Sequence, residues 1–353
     1  MVEKIRQHSS VGLVVAVITT LLVGAVGVYI LARGNAQSIE TAAPTAAARL
    51  LRPASLGVAP YQYVAYSGSL VESYRDTGVK NYFAAFVTAS DEACRPSWGG
   101  SAAGELASAR ANAIKTDIAA LEAAGGTVVV SFGGANGTEL AVACQSPSEL
   151  KEAYAKVIEM YQMKRVDFDI ESEALTSVEA GERRAAAIQA LQSDQPDLQV
   201  WVTLPAHGDG LTSPGLKFVE QLIQHNVRLS GINIMAMNYN AHTVDMGSTA
   251  IKAADGAFAQ LSKLYPKNGS SALWRAMMVT VMAGYNDTPD EVFTLDNATV
   301  LRNFADQKNV GTLGLWSVSR DRACVDPSVS QPSTSCSGVA QEPYEFLRRL
   351  DTR

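Results

Sequence analysis

Three carboxylates at a spacing of two, Asp167, Asp169 and Glu171, alternate with Val166, Phe168 and Ile170 in the stretch Arg165–Glu171. In a β-strand that spacing puts the acids on one face and the apolar residues on the other. The apolar set must pack beneath helices, so the acids point to the inside of whatever the sheet encloses. Burying an unpaired charge is costly, and like charges repel as well, so folding alone would select against this pattern. What it offers instead is chemistry. Crowding and burial raise the pKa of at least one acid, leaving a carboxylic acid able to donate a proton near neutral pH. Glu171, the outermost of the three, is the natural donor. Two plainer readings compete with this one: a solvated strand end, and a divalent-cation site. A cation would need further oxygen ligands, and no other strand end singles one out.

The rest of the 353-residue chain must position that strand. Apolar residues make up 47% and charged residues 18%, enough for a sizeable core and unlike a disordered chain. The formal charge of −6 argues against a nucleic-acid partner, which usually meets a basic stripe. The histidines, His8, His207, His225 and His242, show no metal-ligand spacing, and the four cysteines include no C-x-x-C pair. Near the N-terminus, Val11–Ala32 is an uncharged run of 22 residues, long enough as a helix for a bilayer core. With Lys4 and Arg6 before it, the expectation is an uncleaved membrane anchor over residues 1–33 with the N-terminus in the cytoplasm. The alternative is secretion after cleavage near Asn35-Ala36. Residues 34–55, rich in Ala, Thr, Ser and Pro, read as a linker. Outside the cell the cysteines are oxidised. Three pairings are open; the expected one joins Cys324 to Cys336 and Cys94 to Cys144, the latter across loops after two different strands.

From residue 56 onward short apolar runs alternate with amphipathic stretches. Strands are expected at Val58–Tyr66, Asn81–Ala89, Thr127–Phe132, Arg165–Glu171, Leu198–Leu204, Gly231–Tyr239, Arg275–Ala283 and Thr312–Val318, with helices such as Ser148–Met163, Ser177–Ser193, Gly215–Asn226 and Gly247–Leu264 between them. Eight such units fit one α/β domain over residues 56–353, a (β/α)8 TIM barrel rather than an open doubly wound sheet. Its active groups would lie at the C-terminal ends of the strands.

The acid series Asp167-Phe168-Asp169-Ile170-Glu171 resembles the D-x-D-x-E core of glycoside hydrolase family 18, the chitinases and endo-β-N-acetylglucosaminidases. Three more segments resemble that family's motifs in the same order. They are Ser131-Phe132-Gly133-Gly134 after the third strand, Met235-Ala236-Met237-Asn238-Tyr239 after the sixth, and Trp316 on the eighth as an aromatic floor. Trp98-Gly99-Gly100 and Gly133-Gly134-Ala135-Asn136-Gly137 give a bacterial chitinase style. The resemblance implies hydrolysis of β-1,4-linked N-acetylglucosamine polymers, in which the substrate's own acetamide oxygen attacks the anomeric carbon. It assigns Glu171 as acid and then base, Asp169 as the holder of the acetamide N–H, and Asp167 as the partner that modulates Asp169. It implies no metal and no organic cofactor. Met235, Asn238, Gly133, Gly134 and Trp316 become substrate-binding candidates. The alternative on the same scaffold is a non-catalytic binder of N-acetylglucosamine glycans; such proteins lose the acid glutamate, and this chain keeps it.

Two departures stand out. Lys164 and Arg165 occupy places where the family motif carries Asp and Gly, at the strand's start, where stability rather than turnover should feel them. In direct register Met237 takes the place of a tyrosine whose hydroxyl holds the acetamide oxygen. Tyr239 supplies that hydroxyl only if the strand bulges. Among the remaining residues, Ser131 reads as a hydrogen-bond neighbour of Asp167, Tyr285-Asn286-Asp287 as a loop at the catalytic end that either binds substrate or is structural, and Glu173 as a solvated charge.

Overall fold

The structure, a computed structural model, describes residues 48–351 apart from 67, 92 and 241–244. The expected membrane segment, the first part of the linker and His242 lie outside the described residues. Among the described residues no helix is long and apolar enough to cross a membrane.

Thirteen strands are described: β1 (Gly57–Val58), β2 (Tyr61–Tyr63), β3 (Asn81–Ser90), β4 (Ala93–Trp98), β5 (Thr127–Gly133), β6 (Arg165–Asp169), β7 (Gln199–His207), β8 (Gly210–Leu211), β9 (Leu229–Met235), β10 (Met277–Met282), β11 (Gly284–Tyr285), β12 (Val292–Phe293) and β13 (Thr312–Trp316). The sheet runs β1-β13-β10-β9-β7-β6-β5-β3-β2, every pairing along it parallel. The expected first strand is interrupted at Ala59-Pro60. Its first part pairs with β13 and its second with β3, so the interrupted strand closes the sheet on itself. Eight strand positions with intervening helices make a (β/α)8-type barrel.

The helices start where capping chemistry puts them. Ser146 accepts from Glu149 N ahead of Pro147–Tyr161, and Ser177 caps Val178–Asp194 by accepting from Ala180 N. Met246–Leu264 starts behind Asp245 and Ser213–Gln224 behind Thr212. Several strand ends differ from expectation. The seventh starts at Met277 because Arg275 belongs to the helix Ser270–Ala276. The sixth starts earlier, at Leu229, and stops at Met235, leaving Ala236–Tyr239 to the loop. The hairpin strand β4, antiparallel to the end of β3, gave no separate signal in the sequence because Pro96 lies inside it.

Two apolar layers hold the barrel. Val166, Phe168 and Ile170 belong to the outer layer between strands and helices, where Phe132 and Phe168 stack with centroids 5.4 Å apart. Tyr61, Phe83, Val129, Trp201 and Met278 fill the interior, with Phe83 edge-on to Trp201 at 5.7 Å. Both expected disulfides are present, Cys94–Cys144 and Cys324–Cys336, at sequence separations of 50 and 12. Closing loops of those lengths in the unfolded chain is worth about 4 and about 3 kcal/mol in the chain-entropy model.

Trp201 fits inside the barrel because its β9 neighbour in register is Gly231, where a Cβ would come 2.1 Å from the indole. Gly231→Ala is therefore expected to overpack the interior and destabilise the fold by about 1–3 kcal/mol. A melting temperature equal to wild type would contradict this packing.

Candidate active site

The acids of β6 face inward, as their spacing requires. Asp167 and Asp169 are 0% and 5% exposed, and Glu171, just past the strand, is half-buried. Five other strands converge on Asp167. Ser131 Oγ on β5 donates to its Oδ2 at 2.6 Å, Thr203 Oγ1 on β7 to its Oδ1 at 2.8 Å, and Tyr61 Oη on β2 lies 3.3 Å from Oδ2. Behind them Asn233 Nδ2 on β9 donates to both Tyr61 Oη and Thr203 Oγ1, each at 3.1 Å, and Thr280 Oγ1 on β10 donates to Asn233 Oδ1 at 2.9 Å. The donors of this network run one way, toward Asp167.

Asp169 has no such support. Its Oδ1 is buried without a hydrogen-bond partner among the described residues. Burial pushes its pKa well above the usual carboxylate range, and the charges of Glu171 and Asp167 push it further. Burial also raises Asp167, to about 6, but its hydrogen-bond donors pull the other way. The two form one coupled system, and the asymmetry of donors decides it: the proton sits on Asp169 and the negative charge on Asp167. Glu171 is raised to about 7, by burial first and by the charge of Asp287 second.

A cleft of about 730 Å³ opens over this floor. Trp316, Phe86, Tyr63 and Tyr66 form a chain of aromatic rings along it: Trp316 stacks on Phe86 at 5.5 Å, Phe86 and Tyr63 lie 6.2 Å apart, and Tyr63 and Tyr66 lie 4.9 Å apart. Asp169, Glu171, Met235, Met237, Asn238 and Trp316, all singled out from sequence, line the cleft.

Tyr239 does not. Asn238 takes a left-handed φ of 52°, a conformation that asparagine tolerates, and turns the chain. Met237 then faces the cleft, while Tyr239 packs into the outer layer, 6% exposed, its Oη without a partner among the described residues. Its backbone N donates to Glu291 Oε2 at 3.0 Å, which fixes the turn. The hydroxyl that a bulge would have delivered is thus directed away from the cleft. Gly133 and Gly134 also stay off the cleft wall. They serve close approach: a Cβ on Gly133 would lie 2.0 Å from the Asp169 carbonyl oxygen, and one on Gly134 would lie 2.6 Å from the Phe86 ring.

Several wall residues were not singled out from sequence. They are Phe86, Tyr63, Tyr66 and Arg320, whose residue types and spacing carry no motif signal. Asp287, expected in a catalytic-end loop with either a substrate-binding or a structural role, lines the cleft. It is locked to Asn238 by two hydrogen bonds, Asn238 Nδ2 to Asp287 Oδ2 at 3.1 Å and Asp287 N to Asn238 Oδ1 at 2.8 Å. Its neighbour Asn286 is buried and donates to the carbonyls of Met282 and Gly284, and Tyr285 lies off the cleft.

The raised Asp169 has a stability signature with a definite sign. Below its unfolded-state value, near 3.8, the carboxyl is protonated folded or unfolded and costs nothing. As pH rises, the unfolded chain ionises freely while the folded site resists, so this stability is lost toward high pH. Asp169→Asn should therefore match wild type in melting temperature near pH 4 and gain on it as pH rises above that. A difference that stays flat with pH would contradict the assignment.

No family model matches the chain. It is 33% identical over 261 residues to a probable bifunctional chitinase/lysozyme of Escherichia coli K12, covering 70% of this chain and 28% of that protein. It is 34% identical over 217 residues to endochitinase 11 of Metarhizium anisopliae, covering 58% of this chain and 42% of that one. The chain thus spans well under half the length of these curated relatives. Among solved structures, catalytic-site mutants of active domain 2 of a thermostable chitinase from Pyrococcus furiosus, complexed with chito-oligosaccharides, superpose with a TM-score of 0.75 at 29% identity, over 86% of this chain and 95% of that one. A family 18 chitinase from Pseudoalteromonas aurantia, 16% identical over 74% of this chain and 93% of its own with a TM-score of 0.53, shares the fold. With the acid series on β6 facing the cleft and Trp316 beside it, these likenesses support a chitinase-like protein that is similar in fold to glycoside hydrolase family 18.

Proposed function

We propose that the barrel hydrolyses β-1,4-linked N-acetylglucosamine polymers, chitin or chito-oligosaccharides, with retention and with the substrate's acetamide as nucleophile. The observation that carries this is Glu171, a glutamic acid with a pKa near 7, at the rim of a cleft whose floor holds the Asp169–Asp167 pair. Glu171 protonates the leaving oxygen, and the acetamide oxygen closes on the anomeric carbon to give an oxazolinium ion. Glu171, now a carboxylate, then takes a proton from the water that opens the ring. Asp169 accepts the acetamide N–H on its unpartnered buried oxygen. As the positive charge develops, its own proton shifts toward Asp167 and leaves the negative charge beside the oxazolinium. Trp316 offers an apolar face beneath the reacting sugar.

Met237 brings no hydroxyl to the acetamide oxygen. Relative to a site that keeps one, this forfeits about 1–3 kcal/mol of transition-state stabilisation. That slows turnover and leaves the acid chemistry intact. Two disulfides support a barrel that works outside the cytoplasm, and the apolar run at Val11–Ala32 supports a single-pass membrane tether.

Release of reducing ends from chito-oligosaccharides tests the reading. Glu171→Gln should lose roughly a hundred-fold or more of the rate; equal rates in variant and wild type would overturn it, and binding without turnover in the wild type would favour the non-catalytic alternative. The pH profile gives a second check. Glu171 must carry its proton to act as acid, so kcat/KM should fall as pH rises through about 7. Asp287→Asn removes a neighbouring anion, lowers the Glu171 pKa and moves that alkaline limb to lower pH. An unmoved limb would show that Asp287 does not act on Glu171.

A further inference from the structure

The cleft extends beyond the reacting centre, and at about 730 Å³ it falls in the range that encloses a ligand larger than one sugar (roughly 300–1,000 Å³). Part of its wall comes from Pro332-Ser333-Thr334-Ser335. This stretch is held from three directions. The disulfide Cys324–Cys336 closes the loop that contains it. Arg320, 2% exposed, follows β13 and donates to the Ala283 and Tyr285 carbonyls at 2.8 and 2.6 Å, and also to the Ser333 carbonyl. Ser319 Oγ donates to the Thr334 carbonyl at 3.0 Å. Just past Cys336, the Ser337 carbonyl accepts from Tyr285 N at 2.9 Å.

These anchors take up the Ser333 and Thr334 carbonyls; the Ser335 hydroxyl lies 3.3 Å from Ser333 Oγ with hydrogen-bonding capacity left over, and the Thr334 hydroxyl is left for the cleft. Pro332, Thr334 and Ser335 are exposed, and the Thr334 hydroxyl makes no hydrogen bond within the described residues. A rigid wall of neutral hydroxyls, each both donor and acceptor, is suited to an uncharged polyhydroxylated chain. A loop held this firmly loses little freedom when it engages one.

We propose that Thr334 and Ser335 form a binding wall for sugars beyond the one that reacts, with the Cys324–Cys336 disulfide and Arg320 as its supports. The proposal rests on the glycan reading above and adds a length dependence to it: the wall acts on long oligomers and is silent toward short ones.

Binding to chitobiose and chitohexaose, measured by calorimetry in a Glu171→Gln background so that nothing is hydrolysed, tests it. Thr334→Ala with Ser335→Ala changes only exposed side chains and should weaken hexamer binding by roughly five-fold or more, the worth of about one hydrogen bond, with dimer binding unchanged. Cys324→Ser with Cys336→Ser should weaken hexamer binding at least as much. With Glu171 restored, this cysteine variant should raise KM for the hexamer and keep kcat. Hexamer affinity equal to the parent in the hydroxyl variant, or an equal loss for dimer and hexamer, would overturn the wall and leave the hydrolase reading standing. A Glu171→Gln parent that binds neither oligomer would overturn both.

Discussion

The structure is organised around a desolvation problem: two carboxylates two residues apart on one strand, both inside a barrel. Neither pairs with a cation among the described residues. The fold manages them with polar neutral groups contributed by five other strands, Tyr61, Ser131, Thr203, Asn233 and Thr280, all arranged around Asp167. Because these donors serve one acid and not the other, the pair is asymmetric by construction. One carboxylate is a stabilised anion. The other keeps a proton and an open acceptor oxygen. A site of this kind is expensive for folding and useful for a reaction in which positive charge appears next to the acid that stays unsupported.

The remainder of the site follows from the barrel's two layers. The strand that carries the acids outward-packs Val166, Phe168 and Ile170 under helices, and this apolar face fixes its register. The interior layer, led by Tyr61, Phe83 and Trp201, is apolar and fills the inside of the barrel. Above it the lining changes to acids, methionines and aromatic rings, the composition expected where a sugar's apolar face and polar edge must both be met.

What could be read from sequence was what local periodicity encodes. The alternation at 165–171 gave the inward acids and the outer apolar face. The run of strand and helix patterns gave the barrel, and the family resemblance placed Trp316 on its cleft. What could not be read depended on one residue's backbone or on distant contacts. The sixth strand looked continuous to Tyr239, but Asn238 turns the chain and directs Met237 inward and Tyr239 outward. Gly133 and Gly134 carried the right motif for a different reason, the close approach of Asp169 and Phe86. Asp287 gained meaning only through Asn238, 49 residues away in sequence. Segment 332–335 has the composition of any surface loop, and its place on the cleft comes from a disulfide and a buried arginine.

The central claim is electrostatic: at neutral pH one proton is shared unequally by the buried pair and resides on Asp169. Neutron diffraction from deuterium-exchanged crystals of the unliganded protein at neutral pD locates it directly. The account requires a deuteron on the Asp169 carboxyl, a bare Asp167, and the hydroxyl deuterons of Ser131 and Thr203 directed at Asp167. A deuteron on Asp167 with Asp169 bare, or two bare carboxylates, would contradict it.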